Sequence, residues 1–169
     1  MSSTSHQRGF TLIELLVVIG ILAILGVIAL VSLDPKARLK DARDAMRFND
    51  ASELSSSLEI YSVNYSNDSS DIFLIDKLTQ GEVYMIGAAA IGCDDKNLFC
   101  GIKVTSEHHC IDLSALVSDG YLAQIPVSPS EKTSWSNDLT GYTLQKDDSG
   151  IIHVRSCEAE NREAIDITF

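Results

Sequence analysis

The sequence predicts an α+β subunit in which a long N-terminal helix precedes a small antiparallel β-sheet head. Three observations predict it. Residues 10–33 form an almost unbroken apolar run, residues 36–66 keep helical spacing, and residues 142–155 carry a hairpin signature in a polar, loop-rich remainder. The 169 residues suffice for one domain with a modest core.

The apolar run is 24 residues long, and only Thr11, Glu14 and Ser32 in it are plainly polar. As a helix it would extend about 36 Å at about 1.5 Å per residue, enough to cross a hydrocarbon layer of about 30 Å with some tilt. From Leu15 to Leu33 there are 14 Leu, Ile or Val side chains, and their insertion free energy outweighs one acid near the helix end. An ordinary secretory signal has a shorter core and a small-x-small cleavage site, whereas residues 29–34 read ALVSLD. This run is therefore expected to span a membrane, as the transmembrane half of a long helix whose amphipathic half follows it.

Its orientation is not fixed by the residues alone. Arg8 precedes the run, while Lys36, Arg38, Lys40, Arg43 and Arg47 follow it, so a positive-inside count would leave the long part in the cytoplasm. Cys93, Cys100, Cys110 and Cys157 point the other way, because disulfides belong to exported domains.

Asp34-Pro35 predicts a kink or short break at the membrane exit, since proline lacks an N–H and clashes with the preceding turn. Beyond it, Leu39, Ala42 and Met46, then Ala51, Leu54, Leu58, Tyr61 and Tyr65, recur at helical spacing. The outer half of this helix is expected to lay its apolar stripe on the sheet. Lys40 with Asp44, and Arg47 with Asp50, read as helix-supporting pairs on the opposite, solvated or subunit-contact face. Asn67 to Asp71 read as the helix end, and the formal glycosylation sequons at Asn64 and Asn67 as polar residues of that end. Short strands are expected at 72–75, 82–86 and 102–105, with a short helix over 111–118 closed by Gly120. Residues 142–146 and 151–155 flank the turn Asp147-Asp148-Ser149-Gly150, and 165–169 adds an edge strand. The organisation is then 1–9 leader, 10–33 membrane helix, 34–66 amphipathic extension and 67–169 head.

Gly9-Phe10-Thr11-Leu12-Ile13-Glu14-Leu15-Leu16 sharpens this reading. A short polar leader ending in Gly, then Phe, then an apolar helix with an acid at its fifth residue resembles the prepilin signal of type IV pilins and pseudopilins. The stretch DARDAMRFNDASELSSSLEIYSVNYSND (41–68) is similar to the amphipathic extension of such proteins; the head resembles them only generically, through GYLAQIPVSP and a terminal hairpin. The resemblance implies that a prepilin peptidase cuts between Gly9 and Phe10 and methylates the new Phe10 amine. It also implies a leader on the cytoplasmic side of the cytoplasmic membrane and a single-pass subunit with its head outside, which agrees with the cysteines. Its partners would be other pilin subunits and the pilus or secretion assembly machinery. The product would be a surface or periplasmic filament for adhesion, motility, DNA uptake or secretion. Glu14 of one subunit would meet the Phe10 amine of a neighbour, setting register, because isolated charges are costly in lipid. The rival role for Glu14 is snorkelling to the headgroups. A membrane-anchored extracytoplasmic binding domain that does not polymerise is the rival function.

Other features carry less. Four cysteines allow three pairings, and the preferred one joins Cys93 to Cys100 and Cys110 to Cys157. His108-His109-Cys110 suggests zinc or Cys–His catalysis only weakly, since adjacent residues seldom converge on one ligand. Asp94-Asp95-Lys96-Asn97 and Asp147-Asp148 could offer oxygens to calcium, but neither fits an EF-hand, and turn chemistry explains both. No metal or other cofactor is expected, and no enzyme motif is present. Beyond residue 48 there are 20 acidic against 7 basic residues, a local charge of −13, which disfavours nucleic acid. The basic cluster from Lys36 to Arg47, diluted to +2 by Asp34, Asp41 and Asp44, does not reverse that.

Overall fold

The computed structural model describes residues 9–32, 34–65, 74–162 and 164–169. The chain divides into two compact units, Met1–Arg38 and Leu39–Phe169.

In the first unit, helix α1 runs over Leu12–Ser32. At 21 residues it extends about 32 Å, and it is long and apolar enough to cross a membrane. Its side chains from Leu12 to Val31 are exposed, an arrangement that water does not tolerate and lipid does. Helix α2, Pro35–Tyr65, starts afresh at the Asp34-Pro35 step. Asp34 takes a positive φ of 33°, and its Oδ1 accepts the Ala37 N–H at 3.4 Å. Asp34 thus caps α2, and Pro35 occupies the first helical position, where its missing N–H costs nothing. The expected break is present and has this local cause.

The second unit is α+β. Strands β1 (Val83–Ile86), β2 (Cys110–Ile111), β3 (Tyr142–Lys146), β4 (Ile152–Ser156) and β5 (Asp166–Thr168) form one sheet in the order β2-β1-β3-β4-β5. Alternation sorts its side chains. Tyr84, Ile86, Tyr142, Leu144, Ile152 and Val154 join Ala51, Leu54, Leu58 and Tyr61 of α2 in the main core. Met85, on the opposite face, joins Val104, Trp135 and three of the cysteines in a second, smaller core. Helix α3, Ser114–Ser118, closes the main core with Leu116, and Gly120 follows at φ +81°, the left-handed stop expected of a glycine. Asp147 Oδ1 accepts the N–H groups of Ser149 and Ile151, both at 2.8 Å, and so shapes the β3–β4 turn.

Several expectations need correction. The sheet is mixed, because β2 pairs with β1 in parallel (Met85 with Cys110, Ile86 with Ile111) while the other pairings are antiparallel. Residues 74–77 form a 3-10 turn instead of a strand; residues 72 and 73 lie outside the described residues, as do 66–71 with the expected helix end. Residues 102–105 form no strand: Thr105 N–H donates to Val83 O, and Thr105 Oγ1 accepts the Val83 N–H. The disulfides join Cys93 to Cys110 and Cys100 to Cys157, not the pairs chosen above. The backbone explains the exchange. Cys93 N–H donates to Glu107 O, drawing Cys93 beside the start of β2, and Gly101 N–H donates to Cys157 O, drawing Cys100 to the end of β4.

The two bridges close loops of different length, with sequence separations of 17 and 57. Replacing Cys100 and Cys157 by serine is expected to cost about 2–5 kcal/mol. That exceeds the loss for the Cys93–Cys110 pair by about 1 kcal/mol, from loop-closure entropy. Urea unfolding of the full chain in detergent, followed by the single tryptophan, Trp135, checks the order.

Candidate functional site

The N-terminal motif is built on the first turn of α1. Gly9, Phe10 and Thr11 precede the helix, and all three are exposed. Apart from its chain neighbours, no heavy atom of the described residues lies within 4 Å of where a Gly9 side chain would begin. Thr11 is the N-cap. Its Oγ1 accepts the Glu14 N–H at 3.3 Å, while Glu14 Oε2 accepts the Thr11 N–H at 2.9 Å and the Thr11 hydroxyl at 3.0 Å. This reciprocal pair is a capping box, which satisfies donors that a helix start otherwise leaves open. It also holds a carboxylate at the positive end of the helix dipole. The sequence reading missed Thr11, although T-x-x-E before an apolar run is the spacing that announces it.

The second arrangement lies in the head. Asp44 and Arg47, read above as part of a solvated or contact face, turn inward, and so does Arg43. Arg47 is fully buried and Asp44 nearly so, and they pair at 2.6 Å. Arg47 also donates to Pro129 O at 2.6 Å and reaches Glu160 at 2.9 Å and Glu158 at 3.5 Å. Arg43 grips Glu160 with two bonds, at 2.7 and 2.6 Å, and Glu131 at 2.8 Å. The Asp44 carboxylate accepts the successive backbone N–H groups of Glu160, Asn161 and Arg162. The strap from Cys157 to Arg162 is thereby fastened across α2 by charges that sequence spacing would leave in water. Asp50 pairs with neither arginine in this cluster; it accepts the Tyr142 hydroxyl at 2.5 Å.

These contacts shift protonation. The hydrogen bonds from Arg43 hold the Glu160 carboxyl down at about 2 against the opposing effect of burial, with Arg47 assisting. Burial pushes the Asp44 carboxyl up, but the amides of Asn161, Glu160 and Arg162, together with Arg47, win and hold it below the usual carboxylate range. Both groups have folded-state pKa values below their ordinary ones, so their contribution is complete above the ordinary carboxyl range and drains away as pH falls below it, for Glu160 towards about 2. The urea midpoint of the head should therefore fall across that window. Glu160→Gln should start lower at neutral pH and fall less steeply.

The remaining candidate residues stay apart from this cluster. His109 Nε2 lies 3.1 Å from Glu82, with its ring against Tyr84, and Cys110 is in a disulfide, so no Cys–His pair has a thiol to use. Among the described residues no group of three or more His, Cys, Asp or Glu side chains is placed to hold a metal ion.

The family model for the prokaryotic N-terminal methylation motif matches residues 4–30. No curated protein and no solved structure matches the chain. The match runs from residue 4 across the Gly9-Phe10 step, the Thr11–Glu14 capping box and most of α1, and does not extend to the second unit. The chain carries, over residues 4–30, the prepilin-type methylation signal that marks type IV pilins and pseudopilins, a family of structural subunits.

Proposed function

We propose that this chain is a pilin or pseudopilin precursor, cut between Gly9 and Phe10, methylated at Phe10, and drawn from the membrane into a helical filament. The matched signal carries the proposal. Gly9 supports it: the site is exposed, and a side chain there would meet nothing among the described residues, so no packing contact there asks for glycine. A processing enzyme that must bring this backbone close does ask for it. Glu14 supports it as well, since the carboxylate is held one turn from the amine that cleavage would create. Prepilin peptidase and the pilus or secretion assembly machinery are the implied partners.

The α2 face turned away from the head is consistent with a subunit made for helix bundles. Leu39, Ala42 and Met46, and further on Ile60 and Val63, are exposed there at spacings of three and four. The competing class is a membrane-anchored extracytoplasmic binding domain that never polymerises. The two readings part at the leader. A pilin precursor loses residues 1–9 in cells that have a prepilin peptidase and keeps them when that enzyme is deleted. A simple anchor keeps them in both.

A further inference from the structure

One exposed stripe of α2 keeps a regular rhythm. Leu39, Ala42 and Met46 are followed along it by Asn49, Glu53 and Ser56, and then by Ile60 and Val63, at alternating steps of three and four. All of these are exposed, whereas Ala51, Leu54, Leu58 and Tyr61 of the same helix are buried in the main core. Steps of three and four average about 3.5 residues, the spacing of a seam along which one helix packs on another. This seam is apolar at both ends and polar in the middle. A polar inset selects register, because its groups need partners once water leaves.

The charges of α2 say which register. Glu53 lies in the seam and makes no ion pair among the described residues. Within the second unit, the basic side chains of α2 are Lys40, Arg43 and Arg47. Both arginines are held, by Glu160 and Asp44, so the exposed Lys40 is the one left to approach an acid. In one chain Lys40 and Glu53 are about 20 Å apart along the helix, too far to meet. Between parallel copies the shift decides. With none, Glu53 faces Glu53. A shift of one heptad sets Glu53 against Met46 and gives it no cation. A shift of two heptads, about 21 Å, brings Glu53 level with Leu39 and Lys40, and lays Met46 beside Ile60. A third heptad leaves Glu53 outside the overlap.

We infer that the exposed seam of α2 packs on the α2 of a second copy, parallel and shifted by two heptads, with Glu53 of one subunit on Lys40 of the next. This rests on the filament reading. A shifted contact uses different patches on the two copies, so it repeats without closing, as a filament requires. An antiparallel pair would also join Lys40 to Glu53, but it closes as a dimer.

The test combines a cross-link with a charge exchange. Full-length chain with the photoreactive benzoylphenylalanine in place of Met46 is irradiated in assembled filaments, and the adducts are mapped by mass spectrometry. They should centre on Ile60 of the neighbouring subunit. Lys40→Glu and Glu53→Lys should each lower filament yield by about tenfold or more, since like charges across an interface are strongly disfavoured. The double variant K40E/E53K should recover most of that loss. Both sites are exposed, so the urea midpoint of the head should stay where it is and serves as the folding control. Adducts joining Met46 to Met46, or no adduct between subunits, overturn the shift. A double variant no better than the single ones overturns it as well, and so does normal assembly of Glu53→Lys. Absence of filaments from the unsubstituted chain is a different failure, which removes the filament reading and this contact with it.

Discussion

Arg47→Met is expected to destabilise the head by about 3–5 kcal/mol, the usual cost of removing one partner from a buried ion pair. The reason lies in what remains. Arg47 is fully buried, and without it Asp44 keeps its backbone donors while Glu158 and Glu160 lose a cation at 3.5 and 2.9 Å. Glu158 Oε2 also accepts the Trp135 indole N–H at 3.3 Å, so tryptophan fluorescence reports the strap as well as the core. In urea unfolding of the full chain in detergent, the midpoint should fall far below the wild type. Arg47→Lys should recover only part of it, because an ammonium cannot serve Asp44, Pro129 and Glu160 together. A loss under about 1 kcal/mol would mean that the cluster is not fastening the strap, since ordinary surface pairs are worth no more than that.

Glu14→Val should abolish filament formation while leaving the chain in the membrane. The capping box makes a sharper experiment available. Glutamine can close the same box as glutamate, so Glu14→Gln preserves the contacts with Thr11 and removes only the charge. If the carboxylate is needed to meet a neighbour's Phe10 amine, glutamine and valine should fail alike, with filament yield lost by orders of magnitude. If glutamine assembles as well as glutamate, the acid serves only to start α1, and its intersubunit role is wrong. Counting sheared surface filaments by electron microscopy, with membrane-bound subunit as the control, gives the answer.

Local features of this chain were legible in its sequence. The span, the Asp34-Pro35 restart, the β3–β4 hairpin and the glycine after α3 each depend on neighbours a few residues away, and each was read from spacing or turn chemistry. What depended on distant partners was not. The disulfides, the two-residue strand β2 and the inward turn of Arg43, Asp44 and Arg47 are settled by segments more than 80 residues along the chain from those charged side chains, or by loop paths that no periodicity encodes. Charge on a helix was read as a solvated face because most charged helix faces are; here a strap with two glutamates and three backbone amides that donate to Asp44 is folded over it. Thr11 differs from these, since its signal was local and visible.

The most direct test is the mass of the first residues of this subunit in purified surface filaments. The account predicts a chain that begins at Phe10 and carries one methyl group on its amine. Filaments whose subunits still begin at Met1, or that start at any residue other than Phe10, would contradict it.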